Sequence, residues 1–263
     1  MLYPVLARPF LLLTALLFGC AAANAVTLDW DTATWTSGAT TGSPATGIDM
    51  DITASATGLF QGSLVNTSIP TPTISRAFDG GLTTGEKALE LAIDLPNKGN
   101  AEFVTVTITF NAAVYANGVY DVSFSLFDID YANDSSISST YQDRVFNISA
   151  TTTSGGTLNP TISNLGSSVT NNSGVLTGNA STVDTGPGSG DGNATISFTG
   201  SPIRSITFSY GSGGLFMNPT YQHVGLYDVT FTPVPEMNPA WFGAFSCIAA
   251  TFLVLRHNAR FRK

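Results

Sequence analysis

Phe103-Val-Thr-Val-Thr-Ile-Thr-Phe110 alternates without a break: Phe103, Thr105, Thr107 and Thr109 fall on one side of an extended chain, Val104, Val106, Ile108 and Phe110 on the other. Successive side chains of a strand point to opposite faces, so this is a strand with one dry side and one wetter side. Such strands belong to antiparallel sheets, because parallel ones are covered on both faces and read as continuous apolar runs. Lys87 to Asp94 repeats the pattern, with Leu89, Leu91 and Ile93 opposite Glu90, Ala92 and Asp94.

Outward from these two, the chain is Thr, Ser, Gly, Asn and β-branched residues with turn signals at short intervals. The further strands expected are Val26–Trp30, Ile48–Ala54, Glu102–Phe110, Val119–Asp128, Arg144–Thr152, Ala194–Gly200, Ile203–Tyr210 and His223–Phe231, with Ala88–Leu95 completing the first pair. Thr32–Gly47 reads as a long loop, and so does Ser154–Gly192 apart from one strand near Thr161. Asp184-Thr-Gly-Pro-Gly-Ser-Gly-Asp-Gly192 lacks the Lys-Ser/Thr ending of a phosphate cradle and reads as a flexible connector. No helical period and no long repeat interrupts this pattern between the two ends. The fold class is therefore all-β: residues 26–232 make a single antiparallel, jelly-roll-like β-sandwich of about eight to ten strands.

The two ends differ in kind from the middle. Residues 1–25 read as a signal peptide, with Arg8, an apolar Phe10–Phe18 and a small-x-small site at Ala23-Asn24-Ala25. Leu17-Phe18-Gly19-Cys20 is also a lipobox-like alternative. At the other end, residues 240–255 are an uncharged run that as a helix covers about 22 Å, short of a hydrocarbon core of about 30 Å. Arg256, Arg260, Arg262 and Lys263 follow it and hold the tail on the cytoplasmic side, leaving everything before Pro239 outside.

Val234-Pro235-Glu236, the short apolar helix and the basic tail together resemble the PEP-CTERM sorting signal of Gram-negative, often biofilm-forming bacteria. Met237 stands where that family has a second proline, and the resemblance is confined to residues 234–263. It implies removal of the tail by an exosortase-like transpeptidase and delivery of the sandwich to the cell envelope, the outer surface or the extracellular space. An ordinary membrane anchor through residues 240–255 is the alternative.

All 18 acids lie between Asp29 and Glu236, against the five bases Arg76, Lys87, Lys98, Arg144 and Arg204, so that span carries −13. A surface of that sign repels nucleic-acid phosphates, and nucleic-acid binding is excluded on charge. The only cysteines, Cys20 and Cys247, fall in the two terminal signals. The sandwich therefore has neither disulfide nor thiol nucleophile.

Tyr120-Asp-Val-Ser-Phe-Ser-Leu-Phe-Asp-Ile-Asp-Tyr-Ala-Asn-Asp134 runs an apolar strand into carboxylates. If the strand is unbent, Asp128 and Asp130 extend the face of Val122, Phe124 and Leu126, and a hairpin Phe124–Asp130/Asp143–Ser149 joins them to Asp143. Asp128, Asp130, Asp134 and Asp143 are thus candidate calcium ligands, since Ca²⁺ takes six to eight oxygens in flexible geometry. The competing reading is ordinary turn and ion-pair contacts with Arg144. His223 is the only histidine of residues 26–232; no Gly-x-Ser-x-Gly elbow or zinc-like histidine set accompanies it, and a surface or interface position at a strand start is expected. Trp30, Trp35, Tyr131, Tyr141, Tyr210 and Tyr221 are the aromatics that would face a sugar, with core packing the expected role of Trp30. The expected function is an exported, non-enzymatic matrix or envelope sandwich that is calcium-stabilised and binds polysaccharide. The alternative is a carbohydrate-active enzyme using paired carboxylates.

Overall fold

The computed structural model describes residues 23–83, 85–95, 102–134, 139–181, 185–213 and 222–235. Outside them lie most of the signal peptide, Asp184, Tyr221, Glu236, the apolar run 240–255 and the basic residues Arg256, Arg260, Arg262 and Lys263. Among the described residues no helix is long and apolar enough to cross a membrane.

The strands, in chain order, begin with β1 (Val26–Leu28), β2 (Thr41–Ala45), β3 (Ile48–Ala54), β4 (Thr73–Ser75), β5 (Ala88–Ile93) and β6 (Phe103–Phe110). Then come β7 (Val119–Phe127), β8 (Tyr131–Asp134), β9 (Ser139–Thr152), β10 (Thr157–Leu158), β11 (Thr161–Ser163) and β12 (Val169–Asn172). The last five are β13 (Val175–Gly178), β14 (Ala194–Phe198), β15 (Ile203–Ser212), β16 (Gln222–Leu226) and β17 (Val229–Pro233). All pairings are antiparallel and sort into two layers. In the first, β16 and β17 run end to end, flanked on one side by β5 (with β4) and β1, on the other by β7, then β14 and β11. In the second the order is β2, β3, β6, β15, β9, and the far side of β9 takes β8, β13 and β10. Ile203 opposite Val119 stitches the layers at one end.

The alternation of β6 decides this arrangement. Val104, Val106, Ile108 and Phe110 are fully buried while the phenylalanine and threonines between them are half-exposed. On β7, Val122, Phe124 and Leu126 face inward, and Phe124 meets Phe208 of the opposite layer at 5.8 Å between ring centroids. Phe110 and Phe231 close the same gap elsewhere at 4.9 Å. Each such ring contributes about 1.5–3 kcal/mol on burial, which is how a sandwich without disulfides is held. Residues Asn24–Val234 form one compact unit.

Three expectations change. β5 is not wet on one face: all six residues are buried, because residues 60–78 fold over its outer side. The stretch expected as loop between Thr32 and Gly47 contains β2, and the Ser154–Gly192 stretch contains β10 to β13, short polar strands whose Thr/Asn/Gly composition hid their alternation. Residues 185–192 are not a free tip. They pack on the turns at Gly80 and Gly166 through Gly80 N–H to Pro187 O (3.1 Å) and Ser168 N–H to Asp191 O (2.9 Å), and glycine permits that approach because a Cβ on Gly166 would run into the Asp191 carbonyl.

Candidate functional site

β7 does not carry its inward face through the acidic pair. Asp128 takes a left-handed backbone, φ 67°, which ends the strand at Phe127 and turns Ile129 and Asp130 into the interior while Asp128 stays half-exposed. The expected unbent face is therefore a kink. The expected meeting of Asp130 and Asp143 does occur, by a different hairpin: β8 pairs with β9, Tyr131 opposite Gln142, whereas Phe124 pairs with Ile196 of β14. Asp143 N–H donates to Asp130 O at 2.9 Å, and Asp130 N–H donates to Asp143 Oδ2 at 3.2 Å. Asp134 has its backbone in β8, and its side chain lies outside the described residues.

This corner is deep. Tyr210, expected at the surface, is fully buried, with its hydroxyl 2.6 Å from Asp143 Oδ1, and the Gln222 amide donates to the same oxygen at 3.0 Å. Asp130 Oδ2 accepts from the N–H and hydroxyl of Thr185 at 2.7 and 3.2 Å. Burial first, then the neighbouring charge of Asp130, pushes the Asp143 carboxyl well above the usual range and favours its neutral form. Gln222 Oε1 and Ser212 Oγ are buried with no hydrogen-bond partner. Among the described residues no three His, Cys, Asp or Glu side chains gather as metal ligands. What this corner offers a cation is two carboxylates and two uncommitted neutral oxygens.

Next along β16, His223 faces the other way and is buried, not exposed as expected. Its Nδ1 lies 3.2 Å from Glu90 Oε1, and Phe78 stacks on the ring at 6.1 Å. Glu90 also accepts from Ser63 Oγ at 2.7 Å and Leu64 N–H at 2.6 Å. Burial pushes this carboxyl up, but the His223, Ser63 and Leu64 donors outweigh it and leave it below the usual range. Nε2 of His223 has no partner, so no nucleophile continues the chain from it among the described residues.

The open feature lies elsewhere, on the outward face of the first layer. There Ser125 of β7 and Thr195 of β14 share a hydrogen bond at 3.1 Å, and a groove of about 500 Å³ runs past them. One wall is aromatic: Tyr227 packs on Phe127 with centroids 5.0 Å apart, and its hydroxyl donates to Glu86 Oε2 at 2.8 Å. Burial and then that acceptor raise the phenol above its ordinary range, so it stays neutral. The rim is amide and aliphatic. Asn164 reaches Thr195 Oγ1 at 3.4 Å, Asn193 donates to Gly80 O at 2.8 Å with its Oδ1 unpartnered, and Leu82 and Leu165 are exposed. No lysine or arginine lines it. Of the aromatics expected to face a ligand, Trp30 is core and Trp35 is half-buried, whereas Tyr227 was not foreseen. The signal for it was available in the serine and threonine positions of β7 and β14, which mark an outward face that Tyr227 flanks.

No protein-family model matches the chain, and neither does any curated protein. Among solved structures, the family 11 carbohydrate-binding module from Clostridium thermocellum, in complex with a β-1,3-1,4-mixed-linked tetrasaccharide, overlaps with TM-score 0.31 and 11% identity over 82% of this chain and 100% of that one. A mannan-specific module, TmCBM27, overlaps with TM-score 0.32 and 13% identity over 70% and 89%. A non-crystalline cellulose-specific module, CBM28, gives 0.31 and 12% over 62% and 81%. Overlap this loose carries over no residue and no ligand.

Proposed function

We propose that the domain is a non-catalytic, exported sandwich that binds a neutral polysaccharide in the Tyr227 groove. The observation that carries this is the pairing of an aromatic wall, Tyr227 on Phe127, with amide and hydroxyl groups and no cation. A pyranose presents C–H groups to a ring and hydroxyls to amides, which is what such a wall and rim accept. Glu86 beside the ring and a lining without lysine or arginine disfavour uronic-acid polymers. Affinity electrophoresis against neutral glucans and mannans, with alginate and polygalacturonate as acidic controls, tests it. Tyr227→Ala is expected to abolish retardation in neutral gels while the melt stays cooperative. Retention only by acidic gels, or reducing-sugar release that depends on one carboxylate, overturns it in favour of another ligand or of the enzyme reading.

Export and sorting belong to the same proposal. Their support is the signal-like 1–25, the Val234-Pro235-Glu236 motif, and the arginine-backed apolar run that follows. Strand β17 ends at Pro233 and Val234 N–H still donates to Gly118 O at 3.1 Å, so the motif begins where the sheet stops. The partners are then an exosortase-like enzyme and, before processing, the membrane. Intact mass of the protein recovered from its host tests both cleavages. Calcium is the third component: the Asp130–Asp143 corner, with Gln222 Oε1 and Ser212 Oγ, supplies oxygens of the kind it takes.

A further inference from the structure

The second layer carries its own depression, on the side facing away from the Tyr227 groove. Asp49 sits on β3 between the buried Ile48 and Met50, hence on the outward face, opposite Thr109 of β6. Its Oδ1 accepts from the Ser43 hydroxyl at 2.6 Å and its Oδ2 from the Asn111 amide at 2.8 Å. These three line a hollow of about 520 Å³ bounded by the turns at Gly47 and Ala113. A second hollow of about 280 Å³ adjoins it, sharing Thr34 and Ser43, with Trp35 as its wall. The indole lies across Gly42, where a Cβ would come within 3.0 Å of the ring; glycine is what lets the ring lie on the strand. Strand β2, between the two hollows, pairs only with β3 among the described strands, and on its other side Thr34 N–H donates to Pro44 O at 3.2 Å.

Taken together, the two hollows offer one indole, one carboxylate, one amide and a row of hydroxyls along β2. No lysine or arginine lines either hollow. The two donors to Asp49 hold its carboxyl below the usual range, so it is charged at neutral pH. A fixed negative charge without a counter-cation accepts hydroxyl hydrogens and repels carboxylate sugars. That chemistry matches the Tyr227 groove and no other surface described above.

We infer that Trp35 and Asp49 form a second neutral-polysaccharide site, on the layer opposite the Tyr227 groove, so that one domain holds two chains at once. The inference rests on the polysaccharide reading of the first groove, and its consequence is cross-linking: a monomer with two back-to-back sites bridges glycans without oligomerising. Bivalent capture also raises avidity for a surface dense in glycan, by factors of about 10² to 10⁴ where both sites reach it.

The test uses the folded protein, shown monomeric by size exclusion, with soluble neutral gluco- and manno-hexasaccharides in titration calorimetry and with beads coated in the matching polymer. The wild-type protein is expected to bind two oligosaccharides per chain and to clump beads. Trp35→Ala and, as a milder second variant, Asp49→Ala are each expected to bind one and not to clump, as is Tyr227→Ala. The double variant Asp49→Ala/Tyr227→Ala binds none. If Tyr227→Ala alone removes all binding, the second site is overturned and the groove stands. If Asp49→Ala removes all binding and Tyr227→Ala none, the groove reading falls and the Trp35 site is the one site. Two bound oligosaccharides without bead clumping overturn the bridging role.

Discussion

The hydroxyl oxygen of Tyr210 stands 2.6 Å from Oδ1 of Asp143 and 2.8 Å from the His223 carbonyl oxygen. A phenol has one hydrogen and a carbonyl has none to give. The one hydrogen is therefore shared between the Asp143 carboxyl and the His223 carbonyl. Burial and the neighbouring Asp130 nevertheless push the Asp143 carboxyl well above the usual range, against that donor.

From it follows a pH dependence. A carboxyl raised in the folded state contributes stability that is fully present below the unfolded value, about 3.9, and lost as pH rises through the folded one. Asp143→Asn keeps a neutral group: its amide can donate to Tyr210 and to the unpartnered Gln222 Oε1 once that side chain turns over. The variant is expected to melt higher than wild type at about pH 8 and no higher at about pH 4, read by thermal melts. Tyr210→Phe leaves the His223 carbonyl without its donor and should cost about 1–3 kcal/mol in urea unfolding.

Calcium and the proton of a neutral Asp143 compete for the same oxygens. Calcium is expected to raise the wild-type melting temperature over EDTA at about pH 8, less at about pH 5, and not at all in Asp143→Asn. Melts that are insensitive to calcium at both pH values remove the ion from the account.

Asp228 gives a second, milder effect. Burial is the main cause raising its carboxyl to about 6, with Asp29, Glu86 and Asp31 adding to it against the Trp30 N–H that it accepts at 3.0 Å. Its contribution is present below about pH 4 and lost by about pH 6. Asp228→Asn preserves the acceptor for Trp30 and should raise the melting temperature at about pH 7.5 by about 2 °C, since the group is partly solvated. At about pH 4 the two proteins should melt alike.

Glu90 has the opposite sign. Its carboxyl is held down by His223, Ser63 and Leu64, so its contribution is present above about pH 4.5 and is lost on acidification. Glu90→Ala strands three donors inside the fold and should cost about 3–5 kcal/mol, measured by chemical denaturation. A loss under about 1 kcal/mol would show the pair to be solvated.

How much of this was legible follows from particular residues. The β6 alternation was readable because threonine and valine differ sharply in burial while both favour strands. The same reasoning misjudged β5, since Glu90 looks like a wet position until the segment from Ser63 to Phe78 covers it with two donors and His223 of β16 adds a third. The Asp130–Asp143 meeting was legible as a hairpin, but the left-handed turn at Asp128 was not, because aspartate carries no obligatory mark of that backbone state. Tyr227 was legible only indirectly, through the serine and threonine positions of β7 and β14 that mark the outward face it flanks. Its value comes from Phe127 and from the turns at Gly80, Gly166 and Gly190, which only the tertiary fold brings beside it.

Strands β16 and β17, near the end of the described chain, occupy the middle of the first layer: β17 joins β1 to β7, and β16 joins β5 to β7. A ribosome that has delivered everything up to Ser212 has thus made two half-sheets with a missing keel. The first layer can therefore close only when those last strands arrive, and the contacts that span the chain from end to end form late.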